Sequence, residues 1–235
     1  MSHQVTYFTD ANHAWPQWNQ SDVDFKRQYL LSLERFLFGR YPDLAKAMRY
    51  QLKHSLAWVN KVENMPGPTG ETNELYSSGR GVCVIAMSKD TDTPSALQAI
   101  FAIVTSSLLA GNTIIFCSDN EVFNTIMTEA LNELNNLTPN VVQLTPYDAL
   151  QPLLAMDIRG FAYVGTADVE QTLNLTLAQR DGAIISMVSE TDFVALPTAQ
   201  DPNLVLRFIT ERTRTINITA VGGNATLLEL GNEAH

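Results

Sequence analysis

Two cysteines, four histidines and a scatter of serines and carboxylates are the residues of this 235-residue chain whose types could do chemistry. A reactive thiol needs exposure and a positive or helix-terminal neighbour. Cys83 sits between Val82 and Val84 in an apolar run and reads as core. Cys117 closes the run "NTIIFCS" at a strand's carboxyl end, where ligands bind in α/β sheets, and is the weak candidate for a catalytic thiol. The two cysteines show no metal or redox spacing, which fits a reducing, cytoplasmic compartment. His3, His13 and His54 lie in the first 64 residues and His235 at the terminus, away from the strand ends where α/β active sites collect. Ser88, Ser118 and Ser186 lack a G-x-S-x-G elbow. Asp90, Asp92, Asp119 and Asp148 have no ligand spacing, so they read as caps and loop carboxylates and no metal is expected. The loop "SKDTDTPS" contains no glycine, so it is neither a dinucleotide fingerprint nor a Walker loop.

The elements that would position these groups fall into three parts. Over residues 1–64 the spacing predicts a helical preface. One helix starts at Ser21, which with Asp24 resembles a capping box, and carries Phe25, Tyr29, Leu33, Phe36 and Leu37 on one face. A second opens at Pro42 and runs to about residue 64, with Leu44, Met48, Leu52, Leu56 and Val59 in register. The segment "MPGPTGETNELYSSGRG" reads as a long turn or crossing segment. Across residues 65–212, apolar runs "GVCVIAM", "NTIIFCS", "NVVQLT", "GFAYVG" and "AIISMVS" alternate with helical patterns over 95–109, 121–134, 148–154 and 167–180. Runs apolar almost throughout, separated by helices, predict a parallel sheet covered on both faces, a doubly wound Rossmann-like α/β fold.

Residues 213–235 hold a different pattern. Ile216, Ile218 and Ala220 alternate with Asn217, Thr219 and Val221, Gly222 and Gly223 supply a turn, and 225–230 can return as a second strand carrying Leu228 and Leu230. A lone hairpin is marginal in water, so this one either docks onto another chain as an oligomerisation flap or forms the last two strands of the chain's own sheet. At 45% hydrophobic the chain can bury a full core, and a formal net charge of -10 argues against nucleic-acid or membrane-surface partners. No run is apolar enough for a membrane span, and nothing targets the chain elsewhere.

Several stretches resemble the aldehyde dehydrogenase superfamily. "SLLAGNTIIFCSD" is similar to its "AL-AAGNTVVLKPS" segment and "FAYVGTADVEQTL" to its "FTGSTEVGR" segment. "GPTGETN", "RDGAIISM" and "RTRTINITAVGGNATLLELG" resemble more narrowly the aldehyde-dehydrogenase-like carboxy-terminal domain of the bifunctional proline dehydrogenase and pyrroline-5-carboxylate dehydrogenase family. The likeness covers about residues 65–231. It implies an NAD site in which Gly165 and Thr166 approach the cofactor phosphates, and a closing hairpin that mediates assembly.

The departures from that pattern are specific. Cys117 and Ser118 stand where the family has the Lys and Pro of its "KPS" segment, so the ribose-contacting charge is missing. Glu170 falls at the second glycine of "GSTEVG", and its carboxylate would compete with a phosphate for the helix amides. Met87, Ser88, Lys89 and Asp90 replace the loop that supplies the family's oxyanion-hole asparagine. The "ELGGK" glutamate and "GQ-C" cysteine of its catalytic domain are both absent, because the chain passes from "AIISMVS" almost directly to the flap. The reading is therefore a non-catalytic module that binds no cofactor. It would stabilise or cover a proline dehydrogenase or pyrroline-5-carboxylate dehydrogenase, or self-associate through Ile216, Ile218, Gly222, Gly223, Leu228 and Leu230. The alternatives are an NAD-dependent pyrroline-5-carboxylate dehydrogenase fragment and a nucleotide-sensing Rossmann module.

Overall fold

Three helices precede the first strand in a computed structural model that describes residues 2–67, 70–89, 91, 93–134 and 138–217. They are α1 (Ser2–Gln20), α2 (Val23–Phe38) and α3 (Pro42–Val59). Next come β1 (Val62–Met65), β2 (Glu71–Gly79), β3 (Val82–Met87), α4 (Pro94–Leu109), β4 (Thr113–Ser118), α5 (Glu121–Leu134) and β5 (Val142–Thr145). The chain continues through α6 (Leu150–Leu154), β6 (Gly160–Val164), α7 (Ala167–Ala178), β7 (Met187–Glu190) and β8 (Ile209–Asn217).

The expected doubly wound sheet is present: five parallel strands in the order β5-β4-β3-β6-β7. Its strands are apolar on both faces because both faces are covered. Ile85, Ile114, Phe116 and Val164 point into one core with α2, α3, α4 and α5. Val84, Ile115, Phe161 and Tyr163 point into the other with α1, α6 and α7. Helix α4 is wedged between the sheet and α3, which is why it is apolar nearly all round. Thr93 caps its start by accepting from the Ala96 amide at 3.2 Å, and Pro94 occupies the first turn, where its missing N–H costs nothing.

The amino-terminal helices share this core. Trp18, Tyr29, Leu33 and Met48 pack in one cluster with Phe101 and Phe116, and the Trp18 indole donates to the Leu108 carbonyl at 3.2 Å. Helix α1 went unmarked in the sequence because Pro16 lies inside it and its apolar positions are sparse. The capping box expected at Ser21 does not form. Asp22 precedes α2 without a side-chain cap, and the Ser21 hydroxyl donates to the Trp18 carbonyl at 2.7 Å. The second predicted helix stops at Val59 rather than near residue 64, and residues 62–65 pair as a strand.

A second sheet, antiparallel in the order β1-β2-β8, replaces the turn expected across residues 65–81. All nine residues of β2 pair with β8, from Glu71 opposite Asn217 to Gly79 opposite Ile209. Polar local composition concealed β2 because its partner lies far away in sequence. The first arm of the expected ribbon is thus a strand of the chain's own sheet, with Ile216 opposite Thr72. Ile218, Gly222, Gly223, Leu228 and Leu230 lie outside the described residues.

Three buried polar side chains join these layers. The Asn112 carbonyl oxygen accepts from the Arg80 and Gly81 amides at 2.7 and 3.1 Å, and its amide donates to the Ser107 and Phe208 carbonyls at 3.1 and 2.9 Å. Beside it the backbones of Gly79 and Gly111 come so close that a Cβ on Gly79 would sit 2.4 Å from the Gly111 carbonyl. Glu190, at the end of β7, accepts from the amides of Asp192, Thr198 and Ala199 at 3.3, 2.9 and 3.1 Å. These bonds shape residues 191–208, which carry Leu196, Leu204, Val205 and Phe208 into the main core on the way to β8. Gln51 of α3 then clamps that segment, donating to the Ala199 and Asp201 carbonyls at 2.7 and 3.0 Å.

Asn112→Ala leaves buried amides and carbonyls unpaired and is expected to cost about 2–4 kcal/mol by urea unfolding. Substituting the exposed Asn60 by Ala is expected to stay within about 0.5 kcal/mol of the parent. An Asn112→Ala loss no larger than that of Asn60→Ala would contradict the role given to this junction.

Candidate functional site

In an open parallel sheet the ligand crevice lies beyond the carboxyl ends of the strands, where successive connections leave in opposite directions. Here that point is between β3 and β6, flanked by Ser88 after β3 and by Gly165 and Thr166 after β6. Cys117 and Ser118 end β4, and Glu190 ends β7.

The structure places Gly165 and Thr166 at this switch point, at the entry to α7. The group that meets them comes from the strand itself. The Tyr163 side chain folds back over Gly165, so that a Cβ on Gly165 would lie 2.1 Å from the phenol oxygen. That oxygen accepts a hydrogen bond from the Thr166 amide at 3.0 Å, occupying a donor that a helix amino terminus otherwise offers to an anion. Burial raises the Tyr163 pKa, although its hydrogen bonds with Thr166 and Ser88 pull the other way, so the phenol stays neutral. Sequence reasoning missed Tyr163. The available signal was a lone hydroxyl in a strand otherwise apolar, which must find a partner when buried.

Glu170 was expected to compete for the amides of α7. Its carboxylate instead accepts from the Ser189 hydroxyl on β7. Asp168 joins it in the first turn, where both favour the positive end of the helix dipole.

Cys117 is fully buried. Burial, reinforced by Asp148 and Asp119, pushes its thiol up to about 12, and Cys83 is raised to about 12 chiefly by the same desolvation. Neither supplies a thiolate near neutral pH. Ser118 and its neighbours bond within the turn between β4 and α5 and to the segment after β5. The Ser118 hydroxyl accepts from the Asn120 amide at 3.1 Å, Asn120 caps α5 through the Phe123 amide at 2.8 Å, and Asp119 accepts from the Tyr147 amide at 3.0 Å. Asp90 and Asp92 lie outside the described residues. Among the described residues no group of three His, Cys, Asp or Glu side chains is placed to hold a metal ion, and no helix is long and apolar enough to cross a membrane.

His235 lies outside the described residues, and His13 and His54 sit away from the switch point. His54 packs against Tyr50 with ring centroids 4.5 Å apart. His13 lines a cavity of about 610 Å³ with Trp18, Phe25 and Asn140, between α1, α2 and the turn before β5. That cavity opens at the amino-terminal side of the strands, remote from the crevice.

No family model matches the chain. Among curated proteins it is similar to the bifunctional protein PutA of Salmonella typhimurium, 23% identical over 195 residues, which cover 83% of this chain and 12% of that protein. Among solved structures, proline utilization A from Bradyrhizobium japonicum superposes with a TM-score of 0.69 at 22% identity, covering 84% of this chain and 23% of that one. The 1-pyrroline-5-carboxylate dehydrogenase from Thermus with bound NAD superposes at 0.66 with 16% identity, covering 81% of this chain and 42% of its own. The chain thus spans about an eighth of the curated relative it matches. The likeness read from five short segments holds along most of its length: this chain is similar in sequence to proline utilization A and shares an aldehyde-dehydrogenase-like Rossmann fold with that protein and with pyrroline-5-carboxylate dehydrogenase.

Proposed function

We propose that this chain is a non-catalytic aldehyde-dehydrogenase-like module of proline catabolism, acting in the cytoplasm. It stabilises or covers a pyrroline-5-carboxylate dehydrogenase, or pairs with a second copy of itself, through the sheet that ends in β8. The observation that carries this reading is the short path from β7 to β8. Where the resemblance implies a whole catalytic domain, residues 191–208 cross directly between the sheets, held by Glu190 and Gln51 and sealed into the core by Phe208. A nucleophile and general base would have to come from the switch-point crevice, whose thiol is protonated and whose Asp119 and Glu170 carboxylates are committed to hydrogen bonds.

The residues at α7 do not fit a dinucleotide. The Thr166 amide is bonded to Tyr163, the space over Gly165 holds the phenol, and the first turn of α7 carries the acidic residues Asp168 and Glu170. The competing reading, an NAD-dependent pyrroline-5-carboxylate dehydrogenase fragment, draws on the relative that carries bound NAD. Support for assembly comes from β8. Its outer edge has no neighbouring strand among the described residues, and Ile216 is 46% exposed beside it.

Calorimetry with NAD is expected to show no saturable binding below about 1 mM, and micromolar affinity would favour the enzyme reading. Incubation with pyrroline-5-carboxylate and NAD is expected to yield no NADH fluorescence above a heat-killed control. Turnover that Cys117→Ala abolishes would overturn the non-catalytic assignment. Truncation after Asn217 keeps the β2–β8 pairing intact. It is expected to leave the circular dichroism unchanged while lowering the assembly state seen by light scattering. A truncated chain that keeps the parent's mass would remove the ribbon from the interface.

A further inference from the structure

The amino-terminal end of the parallel sheet, opposite the switch-point crevice, holds a second polar cleft. Its volume is about 280 Å³, and Arg80, Arg159, Arg212 and Thr210 line it beside Ile184 and Ile185. Three arginines lining one cleft are unexpected in a chain of net charge -10, because like charges repel unless an anion lies between them.

Each arginine is aimed by the fold. Arg80 precedes β3; Asn112 accepts from its backbone amide at 2.7 Å, and its Nε donates to the Ile209 carbonyl at 2.9 Å. Arg159 precedes β6; its amide donates to the Val82 carbonyl at 2.8 Å. Its stem lies against Gly81, where a Cβ would come within 2.7 Å of the Arg159 Cγ. Arg212 is fixed by β8, opposite Tyr76 of β2.

Their donors are largely uncommitted. Among the described residues, the Arg159 side chain pairs through one nitrogen with the exposed Asp157 at 2.8 Å, the Arg80 side chain uses its Nε, and the Arg212 side chain makes no hydrogen bond or ion pair. A guanidinium carries five N–H donors in a planar fork that matches a phosphate or carboxylate. We propose that Arg80, Arg159 and Arg212 form a binding site for a small dianion carrying phosphate or carboxylate groups. At about 280 Å³ the cleft lies just below the ligand-site range of about 300–1,000 Å³, which suits a compact anion rather than a nucleotide. The site is independent of the module's catalytic status.

The test is calorimetric titration of the full chain with inorganic pyrophosphate and with succinate at low ionic strength, using acetate as a monoanion control. At least one dianion is expected to bind with a Kd below about 1 mM and to weaken as salt is raised. Arg212→Gln and Arg159→Gln are each expected to weaken it by about tenfold or more, whereas Arg207→Gln, outside the cleft, leaves it unchanged. Binding of pyrophosphate alone identifies a phosphate ligand, and binding of succinate alone a dicarboxylate. Should Arg159→Gln unfold for want of its packing on Gly81, Arg212→Gln carries the test, since its side chain bonds nothing in the described fold. Absence of saturable binding by both dianions, or equal affinity in a folded Arg212→Gln, overturns the proposal.

Discussion

A single buried carboxylate decides how this chain passes from its parallel sheet to its antiparallel one. Glu190 is 1% exposed, and a carboxyl group in such a place is tolerable only if hydrogen-bond partners surround it. The donors are the backbone amides of Asp192, Thr198 and Ala199, so satisfying its oxygens folds the following segment into one shape. That shape brings Leu196, Leu204 and Val205 under α3 and α4 and delivers Ile209 to the end of β2. Asn112 completes the junction by holding Phe208 at one side and the Arg80–Gly81 turn at the other. The two sheets, the helices and the connector are therefore joined by a few internal polar groups that bond across the layers.

This construction bears on function at both ends of the parallel sheet. At the carboxyl end, the phenol of Tyr163 takes the amide at the entry to α7 and fills the gap over Gly165, while Glu170 is tied to Ser189. Gly165 leaves that gap, and an internal side chain occupies it. At the amino end, Gly81 performs the reverse service, leaving room for the Arg159 stem to lie along the start of β3. The space over Gly165 is thus filled by an internal side chain, and three arginines are gathered at the opposite end of the sheet.

How much of this was legible in the sequence follows from the range of the interactions. The five parallel strands and helices α4, α5 and α7 were readable because burial on both faces writes itself into every residue of a run such as "VCVIAM". Strand β2 was not, because "ETNELYSSG" is held by pairing with residues 209–217, a non-local contact that polar local composition conceals. Helix α1 was hidden by its internal proline, although Ala11 and Trp18 are buried against the rest. At the switch point Gly165 and Thr166 were found by motif. Tyr163 was not, since nothing in "FAYVGT" says that the phenol turns back toward its own strand's end. The arginines of the second cleft come from three separate turns and strands, and only the fold brings them together.

The central claim is that the sheet ending in β8 serves association while the Rossmann crevice does no chemistry. Sedimentation velocity on the purified chain, alone and mixed with a pyrroline-5-carboxylate dehydrogenase, tests it most directly. The account predicts a species heavier than the 26.0 kDa chain, either a self-dimer or a complex that carries both proteins. A chain that sediments as a 26.0 kDa monomer in both experiments would contradict it.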